Sequence, residues 1–204
     1  MNKPKCILTV DVEALTLRAP ENHVDNLIYG RFGGEEWGIG RMMDIANKHQ
    51  VKLTFFLDFA EAELYGEDII QAGRYIVSRG HDLQIHCHYN LLEKQVRSRF
   101  PRAAESYYTW YEDEAVSEFL VDYCLEQYRK CTDSEPVIFR GGEYRIGEAL
   151  LKKLREKKVA ADASYNSIRP VEKPMNGQFI FENGLLELPV GVLPEKEGAA
   201  SKVL

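Results

Sequence analysis

The sequence lacks several features that identify common classes of protein. Its 204 residues contain only four cysteines, Cys6, Cys87, Cys124 and Cys131, with no CxxC pair and no dense spacing. This pattern argues against a disulfide framework and predicts reduced thiols in a cytoplasmic protein. No internal repeat, low-complexity tract or linker is present. We therefore expect a single domain over residues 1–204.

Positive charge and long apolar runs are also scarce. The 26 Lys and Arg residues against 32 Asp and Glu give a formal net charge of −6. This balance disfavours a general nucleic-acid or anionic-membrane binder, because either needs a basic footprint. No run approaches the ~20 apolar residues of a membrane-spanning helix. At the N-terminus, Asp11 and Glu13 interrupt an apolar run before it reaches the length of a signal peptide.

Apolar strand-like runs alternate with helical patterns along the chain. Strands are predicted at 6–10, 51–57, 82–88, 137–139 and 159–163. Helices are predicted between them, at 37–46, 67–78, 113–130 and 146–157. Alternating strands and helices indicate an α/β fold with a mostly parallel sheet or barrel, in which chemistry gathers at the carboxyl ends of the strands.

A β-hairpin is predicted near the C-terminus. The segments 178–182 and 185–190 both read as strands, and Asn183-Gly184 lies between them. Asn-Gly is the strongest short signal for a two-residue hairpin turn. The last strands should therefore pair antiparallel.

An acidic pair follows the first predicted strand. Asp11 and Glu13 are two residues apart, so on a strand their side chains share a face and can point into one site. Two adjacent carboxylates can divide roles, one holding a metal and the other taking a proton. A solvated strand exit is the alternative interpretation.

Two histidines end the third predicted strand. His86 and His88 share a face, at the spacing that lets two imidazoles bind one ion. Zinc and other first-row metals are commonly held by two histidines and one carboxylate, with a position left open for water. Cys87 should point the other way, into the packing. Purely structural histidines are the alternative.

An arginine ends the fourth predicted strand, in FRGGEY. A buried Arg140 can orient a carboxylate through a bidentate pair, and the two glycines permit close backbone approach. A plain strand-to-helix turn would explain the glycines but not the arginine. Asp162, at the end of the fifth strand, is predicted either to pair with Arg140 or to cap a helix.

A long polar segment, 14–36, leaves the first strand, and loops of this length are often functional. Its polar residues include His23 and Arg31, which could contact a sugar or merely belong to a covering loop. An aromatic cluster at 107–111 is open to the same two interpretations, sugar contact or completion of a core.

In chain order, these residues resemble the motifs of the polysaccharide deacetylase superfamily, which is NodB-like and belongs to carbohydrate esterase family four in the broad sense. ILTVDVEA matches its acidic pair, GHDLQIHCHYN its Gly-His motif, and FRGGEY its Arg-Gly stretch ending in an aromatic residue. ADASY is similar to its later Asp-containing strand and LLELPV to its Leu-x-Leu-Pro strand, while KHQVKLTFFLDFAEAELYG resembles its Phe-Phe strand and loop. Five motifs in order, over roughly positions 6 to 192, make the resemblance fairly specific.

The resemblance implies a distorted (β/α) barrel of about seven strands that removes an acyl group, usually N-acetyl, from a sugar. It implies Asp11 as the catalytic base, Glu13 as the metal-binding acid and His86 as the first metal histidine. Arg140 resembles the residue that orients the base, and Asp162 the acid that holds that arginine. The implied cofactor is a divalent metal, with zinc as the first expectation.

The chain departs from the family at three points. The family's second metal histidine lies four residues after the first, where this chain has Asn90; either His88 substitutes for it or Asn90 is a weak ligand. All five histidines precede residue 89, so the family's late general-acid histidine has no counterpart, and His23 is one candidate donor. The sequence stops soon after LELPV, so we expect a barrel that is incomplete at its C-terminal end.

The sequence therefore predicts a metal-dependent hydrolase that removes an N-acyl group from a sugar or polysaccharide precursor. Asp11 would deprotonate a metal-activated water, and a backbone N–H from residues 140–144 would stabilise the oxyanion. His23, Arg31 and Tyr144 are predicted to contact the substrate. Two alternatives stay open: another amide hydrolase acting on a small molecule such as allantoin or a formylated sugar, and a non-catalytic sugar- or metal-binding barrel.

Overall fold

The strands of the protein begin within or just after the apolar runs of the sequence. The computed structural model describes residues 6–166, 179–180 and 184–190. Within these residues the strands are β1 (Thr9–Val12), β2 (Arg31–Phe32), β3 (Glu35–Glu36), β4 (Thr54–Asp58), β5 (Asp82–Cys87), β6 (Ile138–Gly141), β7 (Ala161–Asp162), β8 (Phe179–Ile180) and β9 (Leu186–Glu187). The short strands β2 and β3 pair only with each other.

The other seven strands form one sheet in the order β1-β4-β5-β6-β7-β9-β8. Neighbouring strands from β1 to β9 run parallel, whereas β8 pairs antiparallel with β9. Because the strands are parallel, the carboxyl ends of β1, β4, β5, β6 and β7 meet at one edge of the sheet. Every residue of β4 is buried, as expected for a strand covered on both faces.

Helices connect the strands and cover the sheet. The α-helices are α1 (Ile39–Lys48), α2 (Ala62–Tyr65), α3 (Glu67–Ser78), α4 (Glu93–Arg99), α5 (Glu114–Cys131) and α6 (Glu148–Glu156). The longest, α5, begins at the cap Asp113, whose carboxylate accepts the N–H groups of Ala115 and Val116 at 2.9 and 3.0 Å. It packs against both α3 and α6. No helix in the described part of the chain is long and apolar enough to cross a membrane.

The predicted α/β class and the mostly parallel sheet are confirmed, and the sheet has seven strands within the described residues. The predicted C-terminal hairpin is confirmed by the antiparallel pairing of Ile180 with Leu186, although Asn183 lies outside the described residues. In this part of the chain β1 and β8 are the edges of the sheet, so the strands do not close into a full barrel. That one domain spans the whole chain stays a prediction.

The ends of the strands differ from the sequence prediction because pairing, not hydrophobicity, sets them. The first strand, predicted at 6–10, begins at Thr9, the first residue with a partner in β4. The fifth predicted strand, 159–163, shortens to Ala161–Asp162. The sequence prediction missed the hairpin of β2 and β3 and the short helices α2 and α4, since segments of two to seven residues are too short to show a period.

Candidate metal centre

Most of the residues predicted to carry chemistry lie at the carboxyl edge of the sheet. Glu13 follows β1, His86 and His88 lie at the end of β5, and Arg140 lies in β6. In the register of the sheet, His86 is paired with Arg140 across the β5–β6 ladder. The order of the strands therefore brings together side chains that are far apart in sequence.

Glu13, His86 and His88 form a compact group with one potential ligand atom each. The Nε2 atom of His86 lies 2.9 Å from Oε1 of Glu13, and Nε2 of His88 lies 3.1 Å from the same oxygen. The three ligand atoms lie within 4.8 Å of one another. Asn90, the alternative third ligand, is exposed in the turn after β5. The geometry thus favours His88 over Asn90.

The hydrogen bonds of His86 determine which of its nitrogens faces Glu13 with a lone pair. Its Nδ1 lies 2.9 Å from the carbonyl oxygen of Arg140. Since a carbonyl only accepts, Nδ1 carries a proton and donates it. In the neutral ring, Nε2 then presents its lone pair toward the Glu13 carboxylate, which is also electron-rich. Such an approach is stable only with a proton or a cation between the two atoms.

The electrostatics of the group also favour positive charge. Burial opposes ionisation of Glu13, but the contacts with His86 and His88 hold the pKa of its carboxyl below the ordinary value. Burial lowers the pKa of His88, but Glu13 and the neighbouring Asp58 outweigh it and raise that pKa to about 9. Protons and metal ions compete for such a site, because the same lone pairs bind both.

The donor set fits a divalent metal. One carboxylate and two imidazoles are the ligands of many catalytic zinc sites, which keep a fourth position for water. Ligands about 2.1 Å from a tetrahedral ion lie about 3.4 Å apart. The observed 2.9 and 3.1 Å separations from Glu13 would have to widen only slightly to admit one. The group can therefore hold a zinc-like ion.

Beside this group, Asp11 and Arg140 form an ion pair. Nη1 of Arg140 donates to Oδ1 of Asp11. The guanidinium also donates from Nε to the carbonyl of Ala163 at 3.1 Å and from Nη2 to Oγ1 of Thr9 at 3.3 Å, and it lies 3.9 Å from the centre of the Phe56 ring. The arginine is 4% exposed and the aspartate 28%. The buried guanidinium of Arg140 thus orients the carboxylate of Asp11, which is partly exposed to solvent.

The side chain of Asp162 does not lie where its predicted pairing with Arg140 would require. It pairs in register with Phe139, so its side chain leaves the sheet on the face opposite to Arg140. Its oxygens accept the N–H of Ser164 at 3.0 Å and the hydroxyl of Ser164 at 2.7 Å. The predicted pairing of Asp162 with Arg140 is therefore not found between these two described residues, and Arg140 is held by Thr9 and Ala163 instead.

Asp162 instead shares a buried site with Glu187, a residue that the sequence prediction did not single out. Both carboxyl groups are fully buried, and among the described residues Oε2 of Glu187 has no hydrogen-bond partner. Burial and the charge of Asp162 raise the pKa of Glu187 to about 10. Glu187 is therefore the protonated partner at neutral pH, and it accepts the N–H of Tyr165 at 3.0 Å.

Two of the three predicted substrate-binding residues line a separate cavity of about 370 Å³. His23 and Arg31 lie in its wall with Tyr29 and Tyr65. Tyr65 donates to the carbonyl of Ala14 at 3.2 Å, so the cavity adjoins the strand exit that carries Glu13. Arg31 is engaged by Asp25 at 2.5 Å and Glu36 at 3.0 Å. Neither residue belongs to the group formed by Glu13, His86 and His88.

The third, Tyr144, lies on the side of Arg140. Its ring centre is 6.0 Å from the guanidinium carbon. Tyr144 and the preceding Glu143 both have positive φ, 58° and 54°, a conformation that is uncommon outside glycine. Gly142 comes just before them, and a Cβ there would lie 2.8 Å from the Cα of His88. The glycine is thus required for this turn to pack against a metal-site histidine.

The sequence prediction also missed two acids beside the metal-site group, Asp58 at the end of β4 and Glu61 in the turn that follows it. Burial raises the pKa of Asp58, an effect that His86 and His88 oppose. Burial and the charge of Asp58 raise the pKa of Glu61 to about 8. One signal was available: Asp58 ends the mostly apolar strand β4, at the same carboxyl edge of the sheet as the other site residues.

Comparison with solved structures finds proteins that this chain resembles. No known family model matches the chain, and neither does any curated protein. A Mycobacterium smegmatis protein provisionally described as a polysaccharide deacetylase matches with a TM-score of 0.63 and 18% identity, over 97% of this chain and 65% of that one. A CE4 family pseudoenzyme from Bacillus anthracis matches with a TM-score of 0.49 and 14% identity, over 79% and 44%.

The likeness to the Mycobacterium smegmatis protein shows the fold. The resemblance predicted from the motifs is thus borne out in the fold alone. The chain spans 65% of the length of that structure. Activity and substrate are therefore argued from the residues of this chain.

Proposed function

We propose that this chain is a metal-dependent hydrolase that removes an N-acyl group, with N-acetyl as the first expectation, from a sugar or polysaccharide precursor. One observation carries the proposal: Glu13, His86 and His88 form a metal-type donor set, and the oriented carboxylate of Asp11 lies at the same edge of the sheet. A carboxylate base beside a metal site is suited to the hydrolysis of amides, because a metal would lower the pKa of water and the carboxylate can take its proton.

The protein residues divide the chemistry between them. A divalent cation held by Glu13, His86 and His88 supplies polarisation of the acyl carbonyl and a lowered pKa for water. Asp11 takes the proton of the attacking water, and Arg140 holds that carboxylate in place. The turn that follows Arg140 offers backbone N–H groups to the developing oxyanion. We propose zinc as the ion, because a set of two histidines and one carboxylate is typical of catalytic zinc.

We propose a cytoplasmic location for this activity. All four cysteines are free thiols, with Cys6 exposed and Cys87, Cys124 and Cys131 buried. Unpaired cysteines persist in the reducing compartment of the cell. The substrate would then be a carbohydrate precursor or a small amide, and neither nucleic acid nor a membrane is required.

A non-catalytic metal- or sugar-binding role is the second candidate, and one observation favours it. Hydrolysis of an amide needs a proton for the leaving amine, and the chain has no histidine after His88. His23 lies in the separate cavity. The two candidates differ in turnover but not in metal binding, so metal content alone does not distinguish them.

The test has two stages on the untagged protein. Metal analysis should find about one equivalent of a zinc-like ion after reconstitution at neutral pH. Release of acetate and of free amine is then measured with N-acetylated sugars and oligosaccharides, and with small amides. Turnover that needs the metal and that is lost in the Asp11→Asn variant supports the hydrolase. Stoichiometric metal without any turnover supports the metal-binding role, whereas no metal overturns both the hydrolase and metal binding and leaves only sugar binding.

A further inference from the structure

Two buried carboxylates lie in the turn between the strand exits that carry the metal ligands. Asp58 ends β4, and Glu61 lies three residues later in the turn before α2. In the sheet, β4 lies between β1, which precedes Glu13, and β5, which precedes His88. Asp58 and Glu61 are 0% and 1% exposed. Burying carboxylates is costly unless donors or a cation compensate.

Both carboxylates accept backbone N–H groups at the metal-site strand exits. Oδ1 of Asp58 accepts the N–H of His88 at 3.2 Å, together with the N–H of Ala60 in its own turn at 3.0 Å. Oε2 of Glu61 accepts the N–H of Ala14, the residue after Glu13, at 2.6 Å. A single short turn thus holds the backbone at or next to two of the three ligands.

No side-chain cation pairs with either carboxylate. Among the described residues, neither Asp58 nor Glu61 forms an ion pair, while Asp58 Oδ2 has no hydrogen-bond partner. An amide or hydroxyl side chain could satisfy the same N–H groups at a lower desolvation cost. Apart from the N–H of Ala60, the contacts that Asp58 and Glu61 do make are with backbone N–H groups at or next to the metal-site residues.

We propose that Asp58 and Glu61 are positioning residues that fix the backbone of Glu13 and His88 in the metal-binding arrangement. Neither is a ligand in this role. Each carboxylate accepts a backbone N–H group at a strand exit and so restrains that exit. The distances between the ligand atoms are thereby kept near those around a bound ion. This inference rests on the proposed metal site. Partners of this kind commonly change metal affinity 10- to 100-fold when removed.

Glu61 permits a test that separates position from charge. Glu61→Gln keeps the length of the side chain and its acceptor oxygen but removes the ionisable carboxyl. Glu61→Asp keeps an ionisable carboxyl but draws the acceptor back by one methylene from the N–H of Ala14. A positioning role predicts that Glu61→Gln binds Co²⁺ within about threefold of wild type and that Glu61→Asp binds about 10-fold or more weakly. A role through charge alone predicts the reverse order, which would overturn the proposal.

The same comparison applies to Asp58. Asp58→Asn should retain Co²⁺ affinity better than Asp58→Ala, because only the alanine lacks an acceptor for His88. Dissociation constants are measured by titration with Co²⁺. The visible spectrum of the bound Co²⁺ reports the geometry of its ligands, and a general loss of stability would not alter that spectrum in protein that is still folded. Circular dichroism selects the folded variants. Glu126→Ala, which removes an exposed acid on α5, is the matched control and should bind as wild type.

The outcomes separate this inference from the proposed function. Wild-type protein that takes up no Co²⁺ would overturn both. Wild-type protein that binds Co²⁺, with unchanged affinity and spectrum in Glu61→Asp and Asp58→Ala, would overturn the positioning role alone. Weakened binding with an altered spectrum in those two variants, and retention in Glu61→Gln and Asp58→Asn, is the result expected.

Discussion

His86 and Arg140 are joined by a hydrogen bond of 2.9 Å between the imidazole Nδ1 and the backbone carbonyl of the arginine. The side chain of Arg140 meanwhile binds Asp11. One residue therefore serves both halves of the site, its backbone orienting a metal ligand and its guanidinium orienting the proposed base. Because the two functions use different atoms, a side-chain substitution should separate them.

Replacing Arg140 with lysine should lower activity while sparing the metal. Lysine keeps the charge but cannot bind Asp11, Thr9 and Ala163 at once, so the base loses its orientation. We expect kcat to fall at least about 10-fold. Metal affinity should stay within about threefold, because His86 still donates to the carbonyl of residue 140. Acetate release and metal titration on the same preparations check this. Loss of metal together with activity would contradict the separation.

The ligand set predicts a clear order among four variants. His86→Ala and His88→Ala should each lose stoichiometric metal, with affinity reduced more than about 100-fold, since each removes a ligand rather than an outer partner. Asn90→Ala should retain it. His49→Ala, an exposed histidine at the end of α1, is the control for general effects of removing imidazole. Metal content after dialysis measures the result. If His88→Ala keeps its metal and Asn90→Ala loses it, the assignment is wrong.

The sequence predicted the parts of the site that lie on strands better than the parts that depend on register. Same-face spacing at the ends of β1 and β5 predicted that Asp11 and Glu13 share one face and that His86 and His88 do the same, because alternation along a strand is local. The family resemblance then selected Glu13 as the metal-binding acid. The partner of Asp162 depended on which residue of β6 it would face. A shift of one residue in pairing reverses the face of the sheet, and the apolar pattern of that short strand does not specify it.

The buried acids were harder to predict for a different reason. Asp58 and Glu187 each lie at or next to an apolar run, where an acidic residue ordinarily indicates an exposed strand end. Their burial is partly compensated by backbone N–H groups far along the chain, that of His88 for Asp58 and that of Tyr165 for Glu187. Such compensation is visible only once the strands are assembled.

Glu143 should carry backbone strain that glycine relieves. Its φ of 54° is unfavourable for a residue with a Cβ, while its carboxylate bonds Arg145 at 3.0 Å. Both Glu143→Gly and Glu143→Ala lose that partly exposed ion pair, but only glycine removes the strain. We expect the glycine variant to be more stable than the alanine variant by about 1 kcal/mol. Urea unfolding of the two measures this, and equal stabilities would contradict it.

Glu187→Gln should change how stability depends on pH. The folded pKa of Glu187, about 10, lies far above the ordinary carboxyl value, so between about pH 5 and 10 the folded state binds a proton that the unfolded state lacks. Wild-type stability should therefore lose up to about 1.4 kcal/mol per pH unit through this group as the pH rises. Glutamine mimics the protonated acid and has no proton to lose.

The difference in unfolding free energy between Glu187→Gln and wild type should consequently grow in favour of the variant from pH 6 to pH 9. Groups that titrate equally in both proteins cancel from that difference, so urea unfolding at several pH values isolates Glu187 and the neighbouring Asp162, whose pKa depends on Glu187. Glu187→Ala is the control, because it removes the titrating proton but also leaves the N–H of Tyr165 without its acceptor, and it should be less stable than Glu187→Gln at every pH. Parallel pH curves for wild type and Glu187→Gln would mean that Glu187 is ionised in the folded protein over this pH range, which would contradict the prediction.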